Sequence, residues 1–83
     1  MIKRIRELRP LPDYKLFAAF DDGRQVIYDM QEDIRTLPNY ILLEEVAGLF
    51  QNVQLDESRT CVFWTDEIDL PSDTIYEFGE AVA

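Results

Sequence analysis

The strongest constraint on the fold is a β-hairpin pattern over Tyr14–Met30, centred on Asp21-Asp22-Gly23. A two-residue turn would mix apolar and charged side chains on each face of the two strands. A three-residue loop, with Gly23 in the left-handed conformation of a G1 bulge, pairs Phe20 with Arg24 instead. The side chains of one face are then all apolar or aromatic: Tyr14, Leu16, Ala18, Phe20, Val26, Tyr28 and Met30. The pattern therefore predicts the three-residue loop.

Further strands are predicted at the start and in the second half of the chain. Ile2–Arg9 is predicted as an N-terminal strand that Pro10 and Pro12 end, because proline cannot donate to a β-ladder. Its basic side chains suit an exposed sheet edge. A second hairpin is predicted from Val53–Asp56 and Thr60–Trp64. The second of these segments has apolar residues on both faces, which indicates an interior strand.

Helical segments are predicted to be short. Leu42, Val46, Leu49 and Phe50 recur at the spacing of one apolar helix stripe, which predicts an amphipathic helix over Leu42–Phe50. Asp33-Ile34-Arg35 predicts a helical turn that ends before Pro38. Another turn or helix is predicted from Pro71-Ser72, with Ser72 as the N-cap, and residues 80–83 are predicted to be frayed.

Together these elements predict an α+β fold in one domain over residues 1–83. We expect a small antiparallel sheet of about four to five strands, from two hairpins plus the N-terminal strand, packed with one or two short helices.

The charge of the chain is acidic and unevenly spread. There are 8 Lys and Arg against 17 Asp and Glu, a net charge of −9. Residues 1–9 carry +3 and the remaining 74 residues carry −12. An acidic surface repels phosphate backbones, so direct nucleic-acid binding is disfavoured and a small basic protein is the expected partner. Solubility alone is nevertheless the favoured explanation of the charge.

Cysteine content and hydropathy bear on the compartment. The single cysteine, Cys61, leaves no intrachain disulfide and suits a reducing environment. No apolar stretch of a signal peptide follows Met1-Ile2-Lys3-Arg4, and no run approaches the about 18 apolar residues of a membrane span. Cytoplasmic localisation without membrane association is therefore expected.

The residue types argue against most kinds of catalysis. The chain has no histidine, which removes the usual general base and most zinc sites. Cys61 has one nearby base, Arg59 at i−2, so an activated thiolate is less favoured than a buried structural cysteine. The carboxylates near Asp66–Asp73 lack the spacing of a calcium loop. We therefore assign no catalytic, cofactor-binding or metal-ligating residue and expect no cofactor.

The segment Cys61–Glu77 is the most distinctive part of the chain. It joins an apolar run that holds the only Trp to an acidic Pro/Ser segment that ends on a Tyr. An indole at a strand end commonly keeps its N–H near water. The residues predicted to bind a partner are Trp64, Asp66, Asp69, Asp73 and Tyr76, with Trp64 as the apolar anchor of an acidic face.

Four stretches, spread in order along nearly the whole chain, match the pattern of a known family. They are Leu11–Leu16, Phe20–Gly23, Leu43 with Phe50 and Val53, and Trp64 with Ile68–Tyr76. In order and spacing they resemble the small bacterial proteins of domain-of-unknown-function family twenty-four forty-two. The resemblance is looser near residues 31–41.

The resemblance implies a compact α+β domain without assigned catalytic residues. It also implies relatives with an added helix-turn-helix domain, for which these 83 residues leave no room, and relatives encoded beside another small protein. The latter arrangement resembles a toxin–antitoxin or regulator pair.

Three functions remain open on the sequence. The leading hypothesis is a non-catalytic protein-interaction or regulatory module, the acidic partner in a toxin–antitoxin-like pair. The alternative is a small enzyme or a ligand- or metal-binding domain that uses the carboxylates near Asp66–Asp73, for instance with Mg²⁺. The third is a homo-oligomer formed through an exposed hairpin edge.

Overall fold

The computed structural model describes residues 3–82, so Met1, Ile2 and Ala83 lie outside it. Within these residues the elements are β1 (Ile5–Leu11), β2 (Lys15–Phe20), β3 (Gln25–Asp29), α1 (Gln31–Thr36), α2 (Leu42–Glu45), a 3₁₀ turn (Phe50–Asn52), β4 (Gln54–Leu55), β5 (Cys61–Thr65), β6 (Ile68–Pro71), α3 (Ser72–Phe78) and β7 (Glu80–Ala81). The strands form two antiparallel sheets, in the orders β1-β2-β3-β7 and β4-β5-β6. The predicted α+β class is confirmed, with the strands divided between two sheets rather than gathered in one.

The register predicted for the first hairpin is confirmed in β2 and β3. Lys15 lies opposite Asp29, so residues of opposite charge face each other across the strands. The loop is closed by the N–H of Phe20, which donates to the carbonyl of Arg24 at 2.8 Å. Gly23 has a φ of 95°, in the region that side chains disfavour. The turn chemistry and the alternation of side chains thus agree on one register.

The first strand differs from the predicted Ile2–Arg9. Within the described residues β1 begins at Ile5 and continues through Pro10, which lies opposite Leu16. The sheet order places β1 at an edge, as its basic residues indicated. A proline is tolerated there because its missing N–H need not interrupt the ladder. Pro12, in the turn that follows, marks the actual end of the strand.

The second sheet contains the predicted hairpin and one strand more. β5 lies between β4 and β6, which confirms it as an interior strand. Asp56 closes the β4–β5 loop, since its Oδ1 accepts from the N–H groups of Thr60 at 3.0 Å and Cys61 at 3.2 Å. The sequence predicted no strand after Trp64, yet β6 turns back to pair with β5.

The predicted helix over Leu42–Phe50 is wrong. α2 has only four residues, and Gly48 has a φ of 80°, which interrupts the helical path before Phe50. The side chain that α2 buries is Leu43, whereas Val46 is 47% exposed. The supposed stripe therefore does not lie on one face of one helix, because Leu42 and Val46 are exposed whereas Phe50 is buried in the core.

The predicted helical turn at Asp33-Ile34-Arg35 is confirmed as part of α1. The helix ends before Pro38, as expected, because Leu37 is extended with a φ of −98° and a ψ of 137°. The N–H of Leu37 still donates to the carbonyl of Asp33 at 2.9 Å. The chain therefore leaves α1 with its last turn hydrogen-bonded.

The C-terminal segment is more ordered than predicted. Ser72 is not the N-cap of α3; Pro71 holds that position, and the Ser72 Oγ donates to the carbonyl of Lys3. The predicted fraying is wrong for residues 80–82, because β7 pairs with β3 and the Val82 N–H donates to the Gln25 carbonyl at 2.9 Å. Ala83 lies outside the described residues.

One apolar cluster joins both sheets. It contains residues of β1, β2, β3, β5 and β6 together with Ile34, Leu43, Phe50 and Ile75 from the helical segments. No helix within residues 3–82 is both long enough and apolar enough to cross a membrane.

Candidate functional site

Trp64 lies in the core rather than on the surface. Its side chain stacks against Phe50, with ring centroids 5.8 Å apart, and the residue is only 7% exposed. Its Nε1–H donates to the carbonyl of Phe50 at 3.0 Å. The expectation that the indole keeps its N–H near water is therefore wrong. A side chain enclosed in this way is not available as a surface anchor for a partner.

Asp73 and Tyr76 belong to a cluster with balanced charges. Together with Lys3, Arg24 and Glu77 they line an open depression of about 520 Å³, and we call these five residues the α3 cluster. The Lys3 Nζ lies 4.6 Å and the Arg24 Cζ lies 5.0 Å from the centroid of the Tyr76 ring. Asp73 accepts from the Lys3 backbone N–H at 3.1 Å. These contacts hold α3 against the first sheet and bring Lys3 and Arg24 into the same depression as Asp73 and Glu77.

Asp66 and Asp69 lie elsewhere, on the β5–β6 hairpin. Asp66 is exposed in the turn, and Asp69 is exposed on β6 opposite Phe63. The backbone carbonyl of Asp69 accepts from the Tyr40 hydroxyl. Neither residue lines the depression beside Asp73 and Tyr76. The five predicted partner-binding residues are thus divided among the core, one hairpin and the α3 cluster.

The reactive groups are held in structural contacts. Burial, reinforced by the charge of Asp69, raises the pKa of the Cys61 thiol. Arg59, its one basic neighbour in sequence, instead donates to Asp21 at 2.8 and 2.9 Å. Burial also raises the pKa of Tyr28, whose hydroxyl donates to Asp33 at 2.6 Å. Across residues 3–82, no three Cys, Asp or Glu side chains converge as metal ligands would.

A surface that the sequence did not predict lies on and around α2. Its apolar side chains are between 36% and 47% exposed: Leu37, Ile41, Leu42 and Val46. Glu44 and Glu45 are exposed among them, and residues 36–58 contain no Lys or Arg. We call these six residues the α2 surface. The lack of bases was visible in the sequence. The helical spacing, however, placed Leu42 and Val46 on an apolar stripe that was predicted to pack inward.

The turn between β1 and β2 faces this region with an unusual backbone. Asp13 and Tyr14 are consecutive left-handed residues, with φ values of 64° and 60°. The Met30 N–H donates to the Tyr14 carbonyl at 2.9 Å, and the Gln31 Nε2 donates to the Asp13 carbonyl at 2.9 Å. The Tyr14 ring meets the Phe50 ring edge-on at 5.3 Å. Backbone and ring are therefore fixed from several sides.

Two depressions adjoin at this turn. One has a volume of about 400 Å³ and lies between the turn and the segment that follows α2. The other, of about 530 Å³, lies between the turn, α1 and the start of α2. Asp13, Tyr14 and Glu44 line both. The region is therefore concave and carries carboxylates where the two depressions meet.

The architecture defines a class of small α+β domains with two antiparallel sheets and an exposed apolar and acidic surface beside the first hairpin turn. The chain belongs to the family described as "Protein of unknown function (DUF2442)", whose model matches residues 5–81. No curated protein and no solved structure matches the chain.

Proposed function

We propose that this chain is a non-catalytic protein-interaction module whose partner is a small basic protein. The observation that carries the proposal is the α2 surface, where four aliphatic side chains remain more than a third exposed beside two exposed carboxylates. Exposed apolar groups that cluster, with a polar rim, are typical of protein–protein contact sites.

The hydrophobic effect would supply most of the affinity. A partner that covers Ile41, Leu42 and Val46 removes apolar area from water, which is the main favourable contribution in association. The side chains lie on a one-turn helix and the residues beside it, so they are presented by backbone that is already ordered. Less conformational entropy is then lost on binding.

The charges would supply rate and selectivity. Glu44 and Glu45 are exposed among the apolar side chains, and the chain as a whole carries −9. Exposed charges at a contact surface mainly accelerate encounter with an oppositely charged partner and make association sensitive to salt. A module that covers a basic protein in this way would act as the acidic member of a toxin–antitoxin-like or regulator pair.

The carboxylates near Asp66–Asp73 do not offer a comparable basis for an enzyme or a metal site. Asp66 and Asp69 lie on the β5–β6 hairpin, whereas Asp73 accepts from Lys3 in the α3 cluster. The interaction function is therefore the better supported of the two.

The test is co-purification with the tagged full chain from its own cells, followed by mass spectrometry. Ile41→Ser with Val46→Ser removes two apolar contacts from the α2 surface. Phe78→Ser is the matched control, since Phe78 is 71% exposed but lies on α3. We expect a basic protein that the wild type and the control retain and the double variant loses.

Equal retention by the double variant and the wild type would overturn the proposal. Circular dichroism melts of all three proteins establish that the substitutions leave the fold intact. Association measured at low and high salt then tests the electrostatic part, since charge steering weakens as screening increases.

A further inference from the structure

We infer that the two depressions beside Tyr14 form one groove for an extended segment of the partner, with a Lys or Arg side chain at its centre. This inference rests on the proposed function and specifies the chemistry of the partner. The name Tyr14 groove is used below for the two depressions joined at Asp13, Tyr14 and Glu44.

The first argument is the order of chemistry along the groove. The larger depression has Ile34 and Ile41 in its lining, and the smaller one has apolar lining from Leu11, Pro12, Val46 and Ala47. Asp13 and Glu44 lie where the two meet. Each depression therefore has apolar residues in its lining beside the two shared carboxylates, and a segment of the order apolar, cationic, apolar is complementary to this arrangement.

The second argument is the exposure of the two carboxylates and their lack of an ion pair within residues 3–82. Asp13 and Glu44 are both exposed, and within residues 3–82 neither carboxylate forms an ion pair with a Lys or Arg side chain. Arg35 is the single cation among the lining residues, and it lies in the larger depression only. A cationic side chain between Asp13 and Glu44 would meet two negative charges without displacing an existing partner.

The third argument is the size of the depressions. Volumes of about 400 and 530 Å³ can each hold one or a few side chains but not a whole helix, whose diameter with side chains is about 10–12 Å. In an extended chain, alternate residues face the same side and are spaced by about 6.6 Å. An extended segment can therefore place one apolar side chain in each depression and a basic one between them.

The fourth argument is the fixed geometry of the wall. The left-handed residues Asp13 and Tyr14 are held by hydrogen bonds from Met30 and Gln31 and by the contact of Tyr14 with Phe50. A wall that is already ordered loses little entropy when a ligand binds. Asparagine tolerates the left-handed region, so Asp13→Asn removes the charge and keeps the turn.

The test uses the ¹⁵N-labelled full chain and a synthetic probe, acetyl-Leu-Ser-Arg-Ser-Leu-amide. We expect saturable amide shifts at Tyr14, Glu44 and their neighbours, and none from the matched probe with Glu in place of Arg. Asp13→Asn combined with Glu44→Gln should weaken the binding of the Arg probe by about tenfold, since two exposed ion pairs are lost. Asp66→Asn combined with Glu67→Gln, on the β5–β6 turn, should leave it unchanged.

Three outcomes would overturn the inference: no shifts from the Arg probe, equal shifts from both probes, or shifts that map away from the groove. The co-purification experiment separates this failure from that of the proposed function. Loss of the partner with Ile41→Ser and Val46→Ser, but full retention with Asp13→Asn and Glu44→Gln, would refute the groove and leave the interaction surface standing. Retention by both double variants would refute both.

Discussion

Arg59 donates two parallel hydrogen bonds to Asp21, from Nη1 to Oδ1 at 2.8 Å and from Nη2 to Oδ2 at 2.9 Å. The two residues belong to the loops of different hairpins, β4–β5 and β2–β3, so the pair links the two sheets. The backbone takes part as well, because the Ile5 N–H donates to the Arg59 carbonyl at 2.8 Å. The guanidinium lowers the pKa of Asp21.

Arg59→Lys is expected to lower the melting temperature by a few degrees. Lysine keeps the charge but cannot form the paired, planar contact with a carboxylate. A double-mutant cycle with Asp21→Asn measures the coupling, which should fall at high salt because the pair is solvent-exposed. Purely additive melting shifts would show that the contact contributes nothing to stability.

Gly79→Ala is expected to destabilise the fold by about 1–3 kcal/mol, the usual cost of overpacking. A Cβ at this position would lie 2.6 Å from the Ile75 carbonyl oxygen and 2.8 Å from the Val26 Cβ, where α3 meets β3. Gly48→Asn is the control, because an added Cβ meets nothing within 4 Å and asparagine tolerates its φ of 80°. Urea denaturation measures the free energy of unfolding of both variants. A larger loss of stability for Gly48→Asn than for Gly79→Ala would contradict the prediction.

Asp56→Asn is expected to flatten the dependence of stability on acid pH. The hydrogen bond from Ser58 and those from the Thr60 and Cys61 backbone lower the pKa of Asp56. A lowered folded-state pKa adds stability above the unfolded value of 3.8, and that stability is lost as the pH falls through the folded value. Melting curves between neutral and acid pH should therefore converge for wild type and variant at the acid end. A constant difference at every pH would exclude this linkage.

Trp64→Ala is expected to cost about 3–5 kcal/mol, as for a large side chain removed from a core. Trp64→Phe should cost less, about 1–3 kcal/mol, mainly because the Phe50 carbonyl loses its donor. Tryptophan fluorescence of the wild type should be blue-shifted, as for a buried indole. Alanine at this position therefore tests stability rather than partner binding, and a variant as stable as the wild type would contradict the burial.

The parts of the fold that were predictable from sequence are those governed by local rules. The Tyr14–Met30 register followed from side-chain alternation and from the left-handed preference of Gly23, both confirmed. β7 was not predictable, because Glu80 and Ala81 pair with β3 residues more than fifty positions earlier. A two-residue strand carries no periodicity that could indicate such a partner.

The candidate site was predicted less well, for a physical reason. The spacing of Leu42 and Val46 is that of a helix face, but Gly48 interrupts the helix and a single turn cannot direct both side chains inward. The prediction for Trp64 was wrong in the opposite sense, because a side chain expected at the surface lies in the core. Its indole N–H donates to the Phe50 carbonyl there and needs no water.

The long-range contacts that close the fold have a consequence for folding kinetics. The β2–β3 and β5–β6 hairpins join residues close in sequence, whereas Lys3 meets Asp73 across 70 positions and Arg59 meets Asp21 across 38. Closing long loops costs chain entropy before any contact compensates for it. The hairpins can therefore form early, while the contacts that join the two sheets form late in folding. Substitutions at these junctions should accelerate unfolding more than they slow refolding.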